Sequence, residues 1–314
     1  MRRVVVLCGV FFFCFPGLAS GLGLKRRRIA TLRGGAVGTP ASSGQQTQVS
    51  HGAAFEATPA IRPFTVEEIV QPLDDLLDRN SRVAFVRKVY GLLSGSLSLS
   101  AASVLLCASH PGVIAQLAAR HPNLFGAGVL LCGLVGVGSP MAVAFVPALG
   151  RGGNALAVYG AFSASMAAIL GVTCSTFRFD TVVLAMVQTL AATLALTAYG
   201  FQPNPRYDLT GLGSVLFSFL CVSLFASVLR FAFGLPGSSV LRSTLGALLF
   251  SAYIVYDTQL IVGGKNKKRQ MDTRDYVLGA MTLYADIANL FLILLELADG
   301  PSNSSSADRR PPSL

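Results

Sequence analysis

Residues 251–262 read SAYIVYDTQLIV and residues 283–296 read LYADIANLFLILLE. Each stretch lies inside a longer apolar run, at 239–262 and at 277–298, that carries one internal aspartate. A helix needs about 20 mostly apolar residues to cross the roughly 30 Å hydrocarbon core of a bilayer, and it satisfies its own backbone hydrogen bonds there. Both runs are therefore predicted to be transmembrane helices with a carboxyl group inside the membrane.

The same pattern extends toward the N-terminus. The chain is 52% hydrophobic and only 13% charged, whereas about 25% of the residues of an ordinary soluble domain are charged. Glycine and proline breakers separate the apolar runs from one another. The predicted fold is all-α, a polytopic membrane protein with a seven-transmembrane helix bundle, its spans at 85–109, 124–147, 153–173, 180–200, 210–233, 239–262 and 277–298.

The segments outside the bundle have other patterns. Residues 1–20 have the basic start, apolar run and small-residue end of a signal peptide, and the alternative is a genuine additional span. Residues 21–65 are basic and then polar, which predicts a disordered tail; a transit sequence and a tail that touches anionic lipid are both open. The remaining boundaries are an amphipathic pre-membrane segment broken by Pro72 at 66–80, the membrane domain at 81–300 and a disordered tail at 301–314.

Positive charges are concentrated on one side of the predicted spans. The loop 263–276 and the segment before the first span hold most of the lysines and arginines, so the positive-inside rule places both in the cytosol. In an organelle the same rule would place them in the matrix or stroma. We expect an integral membrane protein of the endoplasmic reticulum or another endomembrane, with a plastid or mitochondrial inner membrane as the alternative from the N-terminal extension.

Motifs of enzymes and of nucleic-acid-binding proteins do not occur. The six cysteines are widely separated without a CxxC pair, and the three histidines lack metal-ligand spacing. No phosphate-binding loop, nucleophile elbow or zinc-protease helix is present. The net charge of +10 belongs to the loops and the N-terminal tail. The sequence therefore predicts no enzyme, no cofactor and no nucleic-acid partner.

The carboxyl groups of Asp257 and Asp286 are the main candidate site. A central aspartate costs about 2.5–3.5 kcal/mol on insertion scales, so such residues usually face a bundle interior or a wet cavity. Counted from the loop that joins the two antiparallel helices, Asp257 lies roughly 8 Å deep and Asp286 roughly 14 Å deep. Two neighbouring carboxyl groups in low dielectric do not both ionise easily, so we expect them to share a proton and titrate as a unit. Without that proton the pair would offer oxygen ligands to a transient Ca²⁺ ion.

Other polar residues are weaker candidates. Asn289 and Glu296 share a helix face with Asp286, and with Tyr253 they are candidates for lining an ion path. For Glu296, an interfacial acid at a span end is the simpler interpretation. The loop residues Asp272, Arg274 and Asp275 are candidates for the cytosolic mouth of that path, and the alternative for them is a solvated charged stretch. The structural alternative for the pair is that Asp257 reaches the interface and Asp286 bonds to a neighbouring Tyr or Thr.

Several blocks of the sequence are similar to those of a known family. They include FVRKVY at 85–90, YDLTG at 207–211, VYDTQLI at 255–261 and LYADIANLF at 283–291. On these residues the chain resembles the transmembrane Bax inhibitor motif family, especially its lifeguard or glutamate-receptor-associated branch, over roughly residues 80–300. Region 124–152 matches weakly, because it is rich in glycine and carries no charge before Arg151.

The resemblance implies a seven-helix bundle whose C-terminal helix is central. It also implies a Ca²⁺ leak across an internal membrane, sensitive to pH through two aspartates that fall on Asp257 and Asp286, and protection from cell death. Three hypotheses follow: a pH-gated Ca²⁺-permeable leak channel, an interaction protein that modulates other channels or death regulators, and a proton-coupled cation exchanger. The expected partners are the lipid bilayer, Ca²⁺, protons and, for the second hypothesis, other membrane or death-regulator proteins.

Overall fold

The computed structural model describes residues 66–202, 208–233, 240–263 and 270–299. The predicted signal-peptide-like segment, the basic tail up to residue 65 and the C-terminal tail lie outside these residues. The described part of the chain is helical and contains no strand. Its helices are α1 Val66–Ser109, α2 Pro111–Arg120, α3 Pro122–Phe145, α4 Ala155–Cys174, α5 Phe179–Gly200, α6 Gly213–Phe233, α7 Val240–Val262 and α8 Tyr276–Asp299, with short 3₁₀ turns at Pro147–Gly150 and Leu209–Gly211.

Six of these helices are long and apolar enough to cross a membrane by length and composition: α3, α4, α5, α7, α8 and the Arg79–Ser109 part of α1. The remaining predicted span corresponds to α6, whose apolar stretch Gly213–Leu229 is shorter. Its 21 residues give α6 a length of about 31 Å. The predicted polytopic all-α membrane bundle is therefore confirmed.

Two sequence-based predictions at the start of the bundle need correction. Pro72 does not break the helix, because α1 runs without interruption from Val66 to Ser109, although proline removes one backbone hydrogen bond. The segment 110–123, which the predicted spans leave as a connection between the first two of them, is largely the helix α2. Pro111 occupies its first turn, where the missing N–H costs nothing.

The C-terminal helix is the centre of the bundle. In α8, 89% of the most apolar 18-residue window is buried, and α8 contacts α1, α3, α4, α5 and α7. Small residues allow close approach in the layers around it. Ser103 of α1 donates to the Ala167 carbonyl of α4 at 2.8 Å, and a Cβ on Gly171 would lie 2.5 Å from the Ser103 hydroxyl. The central position predicted for this helix is confirmed.

Helices α7 and α8 are consecutive and pack together. The C-terminus of α7 and the N-terminus of α8 therefore lie at one end of the bundle, which we call the mouth and define by residues 262–263 and 270–276. Gly263 there has a φ of +90°, which glycine adopts readily. The backbone N–H of Met271 then donates to the Leu260 carbonyl at 3.1 Å, so the chain folds back over the end of α7.

Candidate functional site

Packing of α7 on α8 brings the two predicted aspartates together. The side chains of Asp257 and Asp286 are both fully buried, with 0% exposure. The two carboxyl groups are near enough to interact electrostatically, and the Thr282 side chain lies beside Asp257. Asp257 therefore sits level with Thr282, about one turn closer to the mouth than Asp286.

No donor from another described residue satisfies the four carboxyl oxygens of this pair. The Thr282 hydroxyl donates instead to the Gly279 carbonyl at 3.2 Å, and no described Lys or Arg forms an ion pair with either aspartate. Two ionised carboxylates are acceptors only, whereas a protonated carboxyl can donate to its neighbour. The arrangement is suited to holding one proton between two oxygens.

The side chain of Tyr253 completes the polar cluster. It is 1% exposed, lies one turn before Asp257 on α7, and interacts electrostatically with both aspartates. Its hydroxyl has no hydrogen-bond partner among the described residues. Asn289 is also buried and lies three residues after Asp286, on the same face of α8. Of the path-lining candidates, these two are therefore positioned near the pair.

Glu296 lies elsewhere. Its carboxylate accepts from the guanidinium of Arg242 and from the Ser243 hydroxyl at 3.1 Å. Because α8 rises about 1.5 Å per residue, Glu296 lies about 15 Å beyond Asp286, at the end of the bundle opposite the mouth. The ion pair with Arg242 joins α7 to α8 there, in agreement with the interfacial interpretation.

The three loop candidates lie at the mouth in different roles. Asp275 forms an ion pair with Arg151 at 2.7 Å, which ties the start of α8 to the segment before α4. The Asp272 carboxylate accepts from the Arg274 backbone N–H at 3.1 Å, and the Arg274 side chain is exposed. Asp272 and Arg274 thus shape the turn into α8, while Asp275 makes the cross-bundle contact.

Sequence reasoning missed Arg82 as part of this mouth. Its guanidinium donates to the Met271 carbonyl at 2.8 Å, to the Gln270 side chain at 2.9 Å and to the Ile261 carbonyl at 3.4 Å. The last carbonyls of a helix have no partner within the helix, so a cation at the end of α7 is favourable. The sequence signal for it was only that a basic residue precedes the first span.

The described residues contain no group of three or more His, Cys, Asp or Glu side chains that would hold a metal ion. Ca²⁺ takes six to eight oxygen ligands in typical sites, and the pair supplies at most four. A Ca²⁺ ion at Asp257 and Asp286 would need oxygens from water or neighbours such as Asn289. The described residues therefore do not form a complete Ca²⁺ site at this pair.

A polytopic helical bundle with a buried aspartate pair between two neighbouring helices defines a class of integral membrane protein with an ionisable interior site. The family model described as "Inhibitor of apoptosis-promoting Bax1" matches residues 82–303, more than two thirds of the chain. The chain belongs to this family, and the predicted resemblance is confirmed.

Relatives from distant organisms match over most of their length. The chain is 30% identical over 220 residues to "Protein lifeguard 4" of Mus musculus, covering 69% of this chain and 85% of the relative. It is likewise 30% identical to "Golgi anti-apoptotic protein" of Vaccinia virus (strain Lister), covering 69% and 86%. It is 29% identical to "BI1-like protein" of Arabidopsis thaliana, covering 69% of this chain and 80% of the relative.

Proposed function

We propose that this protein is a pH-sensitive, Ca²⁺-permeable leak channel of an intracellular membrane, gated by the Asp257–Asp286 pair. The observation that carries this proposal is the pair itself, because two fully buried carboxyl groups interact with each other and have no donor from the other described residues. Ionisable residues inside a membrane are costly and usually mark ion or proton paths. If the pair were purely structural, apolar side chains of similar volume could replace it at little cost in stability.

Proton exchange at the pair supplies the gate. With one shared proton, a carboxyl–carboxylate hydrogen bond holds α7 against α8 and the net charge of the pair is −1. At higher pH the proton leaves, and two negative charges in low dielectric repel each other. The helices separate at this level, and the freed oxygens attract a divalent cation. Ca²⁺ flux is therefore expected to rise with pH.

The family supports a cellular role for this activity. One relative is named a Golgi anti-apoptotic protein, and the family description refers to an inhibitor of apoptosis-promoting Bax1. We assign this chain to Ca²⁺ homeostasis and suppression of cell death, in the endoplasmic reticulum or another endomembrane. A plastid or mitochondrial inner membrane is the alternative from the N-terminal extension.

A second candidate is an interaction protein that modulates other channels or death regulators without transport of its own. The family description and the name of the Vaccinia virus relative favour it, since both refer to apoptosis and neither mentions an ion. Under this function, replacing both aspartates leaves the protective activity intact. A proton-coupled exchanger, the third hypothesis, would instead move Ca²⁺ uphill when a proton gradient is imposed.

The deciding experiment is Ca²⁺ flux into proteoliposomes of purified protein, measured from about pH 5 to about pH 8 because the pair is expected to titrate as a unit. Wild-type flux should increase with pH, and Asp286→Asn should lose that dependence. Asp180→Asn is the matched control, because Asp180 pairs loosely with Arg178 at the surface and its loss should change nothing. Folded wild-type protein without flux at any pH would end the channel proposal in favour of the interaction protein.

A further inference from the structure

The residues between the mouth and the aspartate pair form a continuous stack on facing helix surfaces. Ile261 lies one turn after Asp257 on α7, and Gly279 lies two turns before Asp286 on α8. Residues four and seven apart share a helix face. Ile261 and Gly279 therefore lie directly between the pair and the mouth.

The side chain of Met271 fills the space above Gly279. A Cβ built on Gly279 would lie 2.9 Å from the Met271 sulfur, 3.6 Å from Val89 and 3.7 Å from Ile261. These three side chains come from the mouth, from α1 and from α7, and they meet over a residue without a side chain. Val89 and Ile261 are fully buried, so apolar side chains fill the space between the mouth and Asp257.

Arg82 holds the backbone of Met271 in place. It lies two turns before Val89 on the same face of α1, and its guanidinium donates to the Met271 carbonyl at 2.8 Å and to the Gln270 side chain at 2.9 Å. The Met271 N–H is bound to the Leu260 carbonyl at 3.1 Å. Both the carbonyl and the N–H of Met271 are therefore hydrogen-bonded. The carbonyl is bound by Arg82 of α1, and the N–H is bound by Leu260 of α7.

We propose that Met271 is the mouth-side plug of the aspartate pair and that Arg82 is the residue that positions it. The closed state requires the Arg82–Met271 contact. A cation or a water molecule reaches Asp257 from the mouth only after Met271 has left Gly279. This inference rests on the proposed function, since Met271 is the barrier that a permeating cation would have to pass. Its test does not depend on Ca²⁺ flux.

The test measures access to a buried thiol beside Asp257. Thr282→Cys is introduced into the full chain after every native cysteine has been replaced by alanine, and the protein is placed in lipid nanodiscs. The probe is 2-(trimethylammonium)ethyl methanethiosulfonate. The thiolate introduced at position 282 attacks the divalent sulfur that carries the ethyl group of the probe; a mixed disulfide forms, and the bond to the sulfonyl sulfur breaks to release methanesulfinate. The labelling rate then reports how often the plug opens.

Met271→Ala should accelerate labelling by at least about tenfold, because truncating a packed methionine removes contacts that hold the closed state. Met271→Leu keeps the bulk and should label at the rate of the parent protein. Met166→Ala is the matched control, since Met166 is also buried but lies on α4 against Gly136. Arg82→Gln should also accelerate labelling, and it serves as the second variant if Met271→Ala does not fold.

An unchanged labelling rate in Met271→Ala would overturn the proposal that Met271 is a plug. If Met271→Ala does not fold, an unchanged rate in Arg82→Gln would overturn it. Equal acceleration by Met166→Ala would overturn it too, because it would show general loosening of the bundle. Absence of Ca²⁺ flux in the wild-type protein would overturn the channel function and leave the labelling result as it stands. The two failures are therefore distinguishable.

Discussion

Helices α3 and α8 are alike in length and apolarity but opposite in position. Each has 24 residues, and the mean hydropathy of their most apolar windows is 1.9 and 1.8. Yet 17% of that window is buried in α3 and 89% in α8. The difference in sequence is that α3 carries no charged residue, whereas α8 carries Asp286 and Glu296 within its apolar run, together with the polar Thr282 and Asn289.

This contrast shows that hydropathy does not decide which transmembrane helix is central. Lipid tails are as apolar as leucine, so an apolar side chain gains little by moving from lipid into protein. A carboxyl or amide group gains a great deal, because it is costly in hydrocarbon. The polar residues of α8 therefore select its place, and the apolar α3 is left at the periphery.

Leucine truncation is the strongest test of the contrast. Leu290→Ala in α8 should lower the free energy of unfolding by about 2–5 kcal/mol, because it leaves a cavity in a packed interior. Leu131→Ala in α3, a residue that is 61% exposed, should change it by no more than about 0.5 kcal/mol. Unfolding in mixed detergent micelles measures both, and equal losses would contradict the assignment of α8 as the core.

Glycine substitution extends the comparison to helix contacts. A Cβ on Gly200 of α5 would lie 2.5 Å and 2.8 Å from carbon atoms of the buried Thr258, so Gly200→Ala should destabilise the protein by about 1–3 kcal/mol. Gly133 of α3 has open space around it, and Gly133→Ala should stabilise by up to about 1 kcal/mol through helix propensity. The same unfolding assay applies, and a stabilising Gly200→Ala would refute the close α5–α7 approach.

Hydrogen bonds to the central helix should have a smaller effect. The Tyr284 hydroxyl and the Ser100 hydroxyl are 2.6 Å apart, joining α8 to α1. Tyr284→Phe should cost about 0.5–1.5 kcal/mol. Ser98→Ala is the control, since Ser98 bonds only within its own helix at an exposed position. If both variants unfold alike, the Tyr284 contact contributes nothing specific.

The ion pair at the mouth should have the smallest effect. Arg151 and Asp275 are partly exposed, so Arg151→Gln should cost less than about 1 kcal/mol, and the difference should shrink as salt is raised. Arg178→Gln removes a looser, more exposed pair and should have no measurable effect. A loss of stability in Arg151→Gln that does not respond to salt would indicate a role other than charge pairing.

Sequence patterns located most helices to within a few residues. The spans expected at 239–262 and 277–298 are helices Val240–Val262 and Tyr276–Asp299, because apolar length and nearby breakers set those ends. The errors occurred at Pro72 and at α2, where a local proline signal was taken as the end of helical structure. A helix tolerates a proline when the surrounding residues favour helix strongly enough. One residue alone therefore does not predict whether the helix ends there.

The candidate site was only partly predictable. Asp257 and Asp286 could be singled out, because a carboxyl group in an apolar run is conspicuous wherever it points. Arg242 and Arg82 could not be assigned, since their partners lie 54 and 189 residues away in the chain. No local pattern records which acid or carbonyl a distant arginine will meet.

By itself, the sequence determined that the chain is a helical membrane bundle and that two consecutive helices each bring one aspartate into it. These properties follow from hydropathy and polar spacing, which are sums over neighbouring residues. Only the tertiary structure decided that α8 is surrounded by five other helices, that its aspartate meets that of α7, that Glu296 pairs with Arg242 at the far end, and that Met271 lies over Gly279 at the mouth. Such contacts depend on how side chains of separate helices fit together in space, and apolar helices in lipid leave that choice to packing and to a few polar groups.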